Sequence, residues 1–306
     1  MEDNSTKNID YHCGTIALLG RPNTGKSTLL NQIIGTKVAI VTSKPQTTRN
    51  RILGIHTDEE SQMIFIDTPG IHKGRSRLTK NMVRLAYEVA KEADVLLVMQ
   101  DVSKPLDQDS KNMIQHFVEN EAHKPRIHIL NKVDKIKKEK LFPRLLEIQK
   151  IDPEAQAYIP LSAIKGKQLA GLQQELIKAL PKAAAKYDED MFTDQSQRQL
   201  VAEFVREQVF MAMQEEIPFQ TAVHIEDFRE FSNEKIEVDA LIIVGCERHK
   251  PMLLGKEGER IKHIGTYARK HLEEVLGCHV HLNLWVKSQP NWFENPSALS
   301  ELGLNV

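Results

Sequence analysis

The octapeptide Gly20-Arg21-Pro22-Asn23-Thr24-Gly25-Lys26-Ser27 constrains this chain more than any other feature. The apolar run TIALL precedes it and TLLNQII follows it. Strand, Gly-rich turn and helix, in that order, is the context in which such a turn holds phosphate. The glycines let successive backbone N–H groups turn inward at a helix N-terminus, where the peptide dipoles favour an anion. Lys26 brings a charge to the β and γ oxygens of a nucleoside triphosphate, Ser27 offers a hydroxyl to magnesium, and Thr28 closes the set.

Four further runs, MIFIDT, VLLVMQD, RIHILNK and AYIPLSA, are short and largely unalternated in polarity. Strands read that way when helices cover both faces of a parallel sheet. Between them RLTKNMVRLAYEVAKEA and DSKNMIQHFVEN carry helical spacing, for example at Met82, Leu85 and Val89. The expected fold of residues 1–181 is therefore doubly wound α/β, with ligands at the carboxyl ends of the strands.

Asp67-Thr68-Pro69-Gly70 closes the second of these strands. Asp67 suits magnesium through water, and Gly70 lets the backbone approach a γ-phosphate. Thr48, in KPQTTRN, completes the magnesium shell in this reading, with adjacent Thr47 as the alternative. Ile71 follows Gly70 and can orient no water. His72 is a candidate for that role, against an ordinary exposed loop histidine.

Base choice is read from Asn131-Lys132-Val133-Asp134. A carboxylate at Asp134 accepts from guanine N1–H and its exocyclic amine together, whereas adenine leaves it facing an unpaired acceptor. Asn131 bridges loop and base, and Lys132 lays its methylenes over the ring. Ser162-Ala163 suits a tight loop whose backbone N–H reaches guanine O6. The expected ligands are GTP or GDP with Mg²⁺.

Past a linker at 182–193 the texture changes. DQSQRQLVAEFVREQVFMAMQEEIP reads as one helix ended by Pro218, with Leu200, Phe204 and Met211 on its apolar face. TAVHIEDF and EKIEVDALIIVG read as antiparallel strands, then two helices around a Gly-rich turn, then the strand HVHLNLWVK. Residues 194–306 thus form a smaller α+β unit. Gly255-Lys256-Glu257-Gly258 occupies that turn; two glycines flanking a basic residue let a nucleic-acid backbone approach, as in KH domains. A plain helix–turn–helix junction is the alternative. Arg260, Lys262 and Arg269 join the candidate RNA contacts, while Ile261, Ile264, Ala268 and Leu272 form the apolar stripe of the helix. From Glu247 to Glu273 seven Lys/Arg stand against four Glu, a local basic excess in a chain balanced overall at 41 Lys+Arg and 42 Asp+Glu. Glu257 departs from a purely basic or glycine pair and is expected to lower affinity. Cys246, His263 and Trp285 read as packing residues.

The three cysteines form no CxxC pair and suit a reducing compartment. The N-terminal stretch MEDNSTKNIDYHCG has no apolar core and does not read as a secretory signal. No run approaches the roughly 18 apolar residues needed to span a bilayer. A cytoplasmic protein is expected.

Together GRPNTGKST, PQTTR, DTPGIH, NKVD and SA, then EEIPF, LLGKEGERIKHIGTYARK and NWFENPSALSELG, resemble the Era family of bacterial GTPases over essentially the whole length. The C-terminal half makes the resemblance specific. It implies a Ras-like P-loop GTPase domain with a mixed sheet, followed by a type II KH domain. It also implies a monomeric assembly factor of the 30S subunit that binds single-stranded RNA near the 3′ end of the small-subunit ribosomal RNA and associates peripherally with the inner membrane. By the same resemblance Asn23, with carbonyls of the loop before Thr47, holds a potassium ion in place of an arginine finger; a loop asparagine bonding its own backbone is the alternative. Lys26, Asn23, Thr48 and Gly70 are then the catalytic candidates. A nucleotide-gated RNA-binding scaffold with negligible turnover is the competing function.

Overall fold

The computed structural model describes residues 10–232 and 234–304. Residues 1–9, most of the stretch read as lacking a signal, lie outside them. The chain divides into two compact units: 1–39, 48–73 and 82–194 belong to the first, and 40–47, 74–81 and 195–306 to the second.

In the first unit, β1 (His12–Gly20), β2 (Ile52–Thr57), β3 (Ser61–Asp67), β4 (Val95–Asp101), β5 (Arg126–Asn131) and β6 (Ala157–Leu161) form one sheet in the order β2-β3-β1-β4-β5-β6. All neighbours are parallel except β2, which runs antiparallel to β3. The five parallel strands are those read from their apolar runs. The edge strand β2, ILGIHT, is not among them, because Gly54 interrupts its apolar pattern. A Cβ there would lie 2.5 Å from Leu30 Cδ1, so a side chain fits only if Leu30 shifts.

Alternate residues of β1 explain its unalternated look. Ala17 and Leu19 enter one core, Ile16 and Leu18 the other. Helices α1 (Lys26–Ile34), α2 (Arg77–Glu92), α3 (Gln108–Asn120), α4 (Lys138–Ile151) and α5 (Leu169–Ala179) complete the chain order. Of the stripe read on α2, Met82 and Val89 are buried and Leu85 packs against the same core.

A buried charge cluster ties the start of β5 to the end of α4, away from the phosphate loop. Asp152, fully buried after α4, accepts from Arg126 Nε at 2.8 Å and Nη2 at 2.9 Å and contacts His128 Nε2 at 2.8 Å. Burial alone would raise its carboxyl; His128 and Arg126 overcome that and hold it at about 2.

The second unit contains α6 (Gln197–Ala212), β7 (Thr221–Ser232), β8 (Lys235–Val244), α7 (His249–Leu254), α8 (Glu259–Leu276), β9 (His279–Ser288) and α9 (Pro296–Glu301). The sheet order is β7-β8-β9, with β7–β8 antiparallel and β8–β9 parallel. Ser196 starts α6 with a reciprocal capping box to Gln199. The helix stops at Ala212, six residues before Pro218, because Met213 is already extended. Met211, read as part of the apolar face, is 56% exposed, while Phe210 is fully buried. Two sides of α6 are covered, one by the sheet and α8, the other by the segment 40–47, so a single 3.6-residue stripe misplaces its C-terminal turn. Ile264, Ala268 and Leu272 are buried as expected, and Ile261 packs against them. Trp285 and His263 are exposed, against the packing role read for them. Cys246 is half-buried and Cys13 buried; all three cysteines are free thiols. Among the described residues no helix is long and apolar enough to cross a membrane.

Candidate nucleotide and nucleic-acid sites

The loop from Gly20 to Ser27 leaves β1 and enters α1 through backbone that side chains rarely adopt. Gly25 has φ 100°, and Asn23 φ 62°. A Cβ on Gly25 would lie 2.3 Å from Asn131 Nδ2, so only glycine passes there. Lys26 is 6% exposed, its Nζ 3.4 Å from Gly20 O and 3.3 Å from Arg21 O.

Three oxygen-bearing side chains from separate segments meet at the start of α1. Ser27 Oγ donates to Asp67 Oδ2 at 2.5 Å and lies 3.0 Å from Thr48 Oγ1, which donates to the same carboxylate oxygen at 3.3 Å. Thr47 faces elsewhere; its hydroxyl lies 2.8 Å from that of Thr42. Asp67 is fully buried, and among the described residues its Oδ1 has no hydrogen-bond partner. Burial pushes the Asp67 carboxyl up, opposed first by Lys26; burial likewise pushes the Lys26 ammonium down, opposed by Asp67. Burial of this kind makes a cation at the carboxylate and an anion at the ammonium favourable. The hard oxygen donors Ser27, Thr48 and Asp67 fit magnesium.

Gly70 presses on the same loop: a Cβ there would lie 2.6 Å from Pro22 N. Thr68 Oγ1 donates to Leu18 O at 2.6 Å, and Ile71 N to Gly20 O at 3.0 Å. Pro69 is buried between these anchors. The Ile71 side chain is 6% exposed within the first core, so the position after Gly70 contributes packing. His72 Nδ1 lies 2.7 Å from Gly70 O. Arg21 reaches across to Ile71 O and pairs with Asp109 at 3.3 Å.

The base loops are tied to the phosphate loop by Asn131, which is 2% exposed. Its Nδ2 donates to Thr24 O at 2.7 Å, while its Oδ1 accepts from Lys132 N at 2.8 Å and Ala163 N at 3.0 Å. Ala163 N–H is thus engaged by Asn131. Lys132, at φ 68°, sends Nζ to Asn23 O and Asp101 Oδ2, both at 2.6 Å. Val133 begins the short helical turn carrying Asp134. Asp134 is exposed and accepts from Ser162 Oγ at 2.6 Å, the bond that chiefly lowers its carboxyl pKa. Sequence reasoning misses Asp101 and the Ser162 hydroxyl. Asp101 ends β4, a carboxyl-end position that marks it once the sheet order is known.

In the second unit, Gly255 (φ 75°) ends α7 and Gly258 (φ 78°) precedes α8, with Glu257 at φ 51° between them. Among the described residues no atom lies within 4 Å of a Cβ built on Gly258. Lys256, Glu257, Lys262 and Arg269 are exposed, and Arg260 Nη1 donates to Met252 O. Beside this turn Gly265 brings α8 onto β9, where a Cβ would press Leu284 at 3.3 Å. Leu282, Leu284 and Val286 line that edge half-buried. An open backbone turn at a helix start, next to a half-exposed apolar strand, offers phosphate contacts and base contacts side by side.

Fold and sites define a P-loop GTP-binding unit joined to a KH unit. A family described as 50S ribosome-binding GTPase matches residues 15–132, and a KH domain family matches residues 216–293. GTPase Era of Nitratidesulfovibrio vulgaris (strain DSM 19637 / Miyazaki F) is 43% identical over 303 residues, covering 96% of this chain and 98% of its own. GTPase Era of Geotalea daltonii is 40% identical over 294 residues, covering 96% and 98%. An Aquifex aeolicus Era variant bound to GDP·AlF4⁻ superposes with a TM-score of 0.92 at 39% identity, covering 96% of this chain and all of that one. Era in complex with MgGDPNP and nucleotides 1506–1542 of 16S ribosomal RNA gives 0.93 at 39%, covering 97% and 100%. The chain belongs to the Era family of GTPases.

Proposed function

We propose that this chain is a GTP-hydrolysing switch that binds single-stranded ribosomal RNA near the 3′ end of the small-subunit rRNA and assists 30S assembly. The convergence of the Ser27 and Thr48 hydroxyls on Oδ2 of the buried Asp67 carboxylate carries the GTPase half of this reading. The open Gly255–Gly258 turn supports the RNA half, as does the relative solved with 16S rRNA. Residues 1–181 are the GTPase domain, 182–193 the linker and 194–306 the KH domain.

Phosphoryl transfer is chiefly positioning and charge neutralisation. The amides of Gly20–Ser27 and the Lys26 ammonium grip the phosphates, and Asp134 selects guanine with Asn131 holding its loop. Ser27, Thr48 and Asp67 would hold magnesium, which when bound offsets charge developing on the phosphoryl oxygens. Thr48 and Gly70 belong to the two segments that report the γ-phosphate. With Ile71 committed to the core, the further catalytic charge is a potassium ion at Asn23, supported by its place in the phosphate loop and by the family resemblance. Gly255, Lys256, Glu257, Gly258, Arg260, Lys262 and Arg269 contact RNA. The chain acts as a cytoplasmic monomer with peripheral contact to the inner membrane.

The scaffold reading is not favoured: Lys26 stands in the phosphate loop and Ser27, Thr48 and Asp67 meet beside it, which supports a hydrolysing site. GTP turnover compared in potassium and sodium buffers, for wild type and Asn23→Ala, tests the enzyme. Potassium stimulation lost in the variant supports it, and no turnover in either salt refutes it. Crosslinking with RNA sequencing, done separately with GTP and GDP, tests the RNA half.

A further inference from the structure

Arg206 and Glu207 of α6 are 3% and 1% exposed, although charged residues are almost never fully buried without partners. Their partners lie in the segment 40–47, which belongs to the same compact unit. Glu207 Oε1 accepts from Val41 N at 3.0 Å. Arg206 Nη2 donates to Thr47 O, and the guanidinium is oriented by Glu203 and lies 5.3 Å from the centre of the Phe210 ring. Between these points Lys44 Nζ donates to the carbonyls of Phe210 and Met213, where α6 ends and its dipole favours a cation. The segment is therefore held near its start, in its middle and at its last residue. One peptide bond beyond that last residue stands Thr48, with its hydroxyl on Ser27 and Asp67.

We infer that Arg206 and Glu207 are positioning residues for GTP hydrolysis: α6 sets the backbone that places the Thr48 hydroxyl. The inference rests on the reading of Thr48 as the residue that completes the magnesium shell. Its consequence is reciprocal coupling. Whatever nucleotide recruits Thr48 favours the α6-bound form of segment 40–47, and a ligand that shifts α6 alters nucleotide binding by the same linkage in free energy. The signal then needs no contact between RNA and nucleotide.

The test uses the full chain and two readouts. Arg206→Met keeps the buried stem and removes the fork. It should lower kcat for GTP by roughly ten- to a hundredfold, the scale of a misplacement near 1 Å, while GDP affinity stays within about threefold. Lys44→Met leaves no buried charge behind and should lower kcat in the same direction if Arg206→Met does not fold. Glu207→Ala should lower kcat and abolish hydrogen-exchange protection of the Val41 amide without nucleotide; Glu207→Gln, which keeps an acceptor oxygen, should restore both. Thr48→Ala separates this inference from the reading beneath it. If Thr48→Ala hydrolyses GTP at the wild-type rate, the assignment of Thr48 fails. If Thr48→Ala is inactive while Lys44→Met and Glu207→Ala keep wild-type kcat, the α6 inference is overturned.

Discussion

Asn131→Ala should weaken GTP and GDP by the same large factor. The side chain makes three hydrogen bonds of 2.7, 2.8 and 3.0 Å from a site 2% exposed, to Thr24 O, Lys132 N and Ala163 N. At a net ~1 kcal/mol each they sum to about 3 kcal/mol, and the buried Ala163 N–H left unpaired adds to that. At 1.4 kcal/mol per decade the expected loss is on the order of a hundredfold. None of these bonds involves the γ-phosphate, so the factor should be equal for the two nucleotides. Titration with fluorescent GTP and GDP analogues measures it, alongside thermal melts with and without GDP. Asn131→Asp is the sharper variant: it keeps both acceptor bonds but turns a carboxylate oxygen toward Thr24 O, and should bind no better than Asn131→Ala. Affinities within threefold of wild type, or a loss confined to GTP, would refute the view that Asn131 ties the base loops to the phosphate loop.

Asp134→Asn should lower GTP affinity by about three decades or more and admit xanthine nucleotides, whose ring presents an acceptor where guanine has its amine; competition binding with both triphosphates reads this. Gly258→Asp meets no described atom within 4 Å, but it strains a backbone at φ 78° and adds an anion at the open turn, so RNA affinity should fall and its salt slope flatten. Unchanged affinity and slope would remove the KH turn from the interface. The Asp152 carboxyl lies near 2 in the folded chain, against 3.8 for an unperturbed aspartate. Its contribution is thus complete above about pH 4 and lost as pH falls toward 2, a difference of about 2 kcal/mol. Stability from urea unfolding between pH 5 and 2.5 should drop further in wild type than in Asp152→Asn, by most of that amount.

Local chemistry determined much of this protein from its sequence. A phosphate loop needs glycine at the tight positions and a lysine and a hydroxyl at fixed spacing, and a base-reading loop needs one carboxylate. Those demands are met within a few residues, so Gly25, Lys26, Ser27, Asp67 and Asp134 are recognisable in order. The five parallel strands are legible because burial on both faces removes polar alternation, and the resemblance extends that reading to the KH unit. Ile71 first reads as a missing catalytic group; its burial in the core shows a position given over to packing.

What only the tertiary structure decided are pairings between residues distant in the chain. Asp101 and Lys132 meet because β4 and β5 are neighbours in the sheet, which strand spacing does not state. Thr48 rather than Thr47 faces Asp67 because the loop turns between them. Trp285 and His263 read as packing residues on composition, yet the edge strand and the outer face of α8 leave them in solvent. The α6 helix shows the limit most clearly. Periodicity finds one buried face, but Arg206 and Glu207 are buried on another by a segment far earlier in the chain, at separations of 159 and 166 residues. Hydrogen bonds at that separation leave no period in a sequence, because they depend on where the backbone returns and not on which residues are neighbours along it.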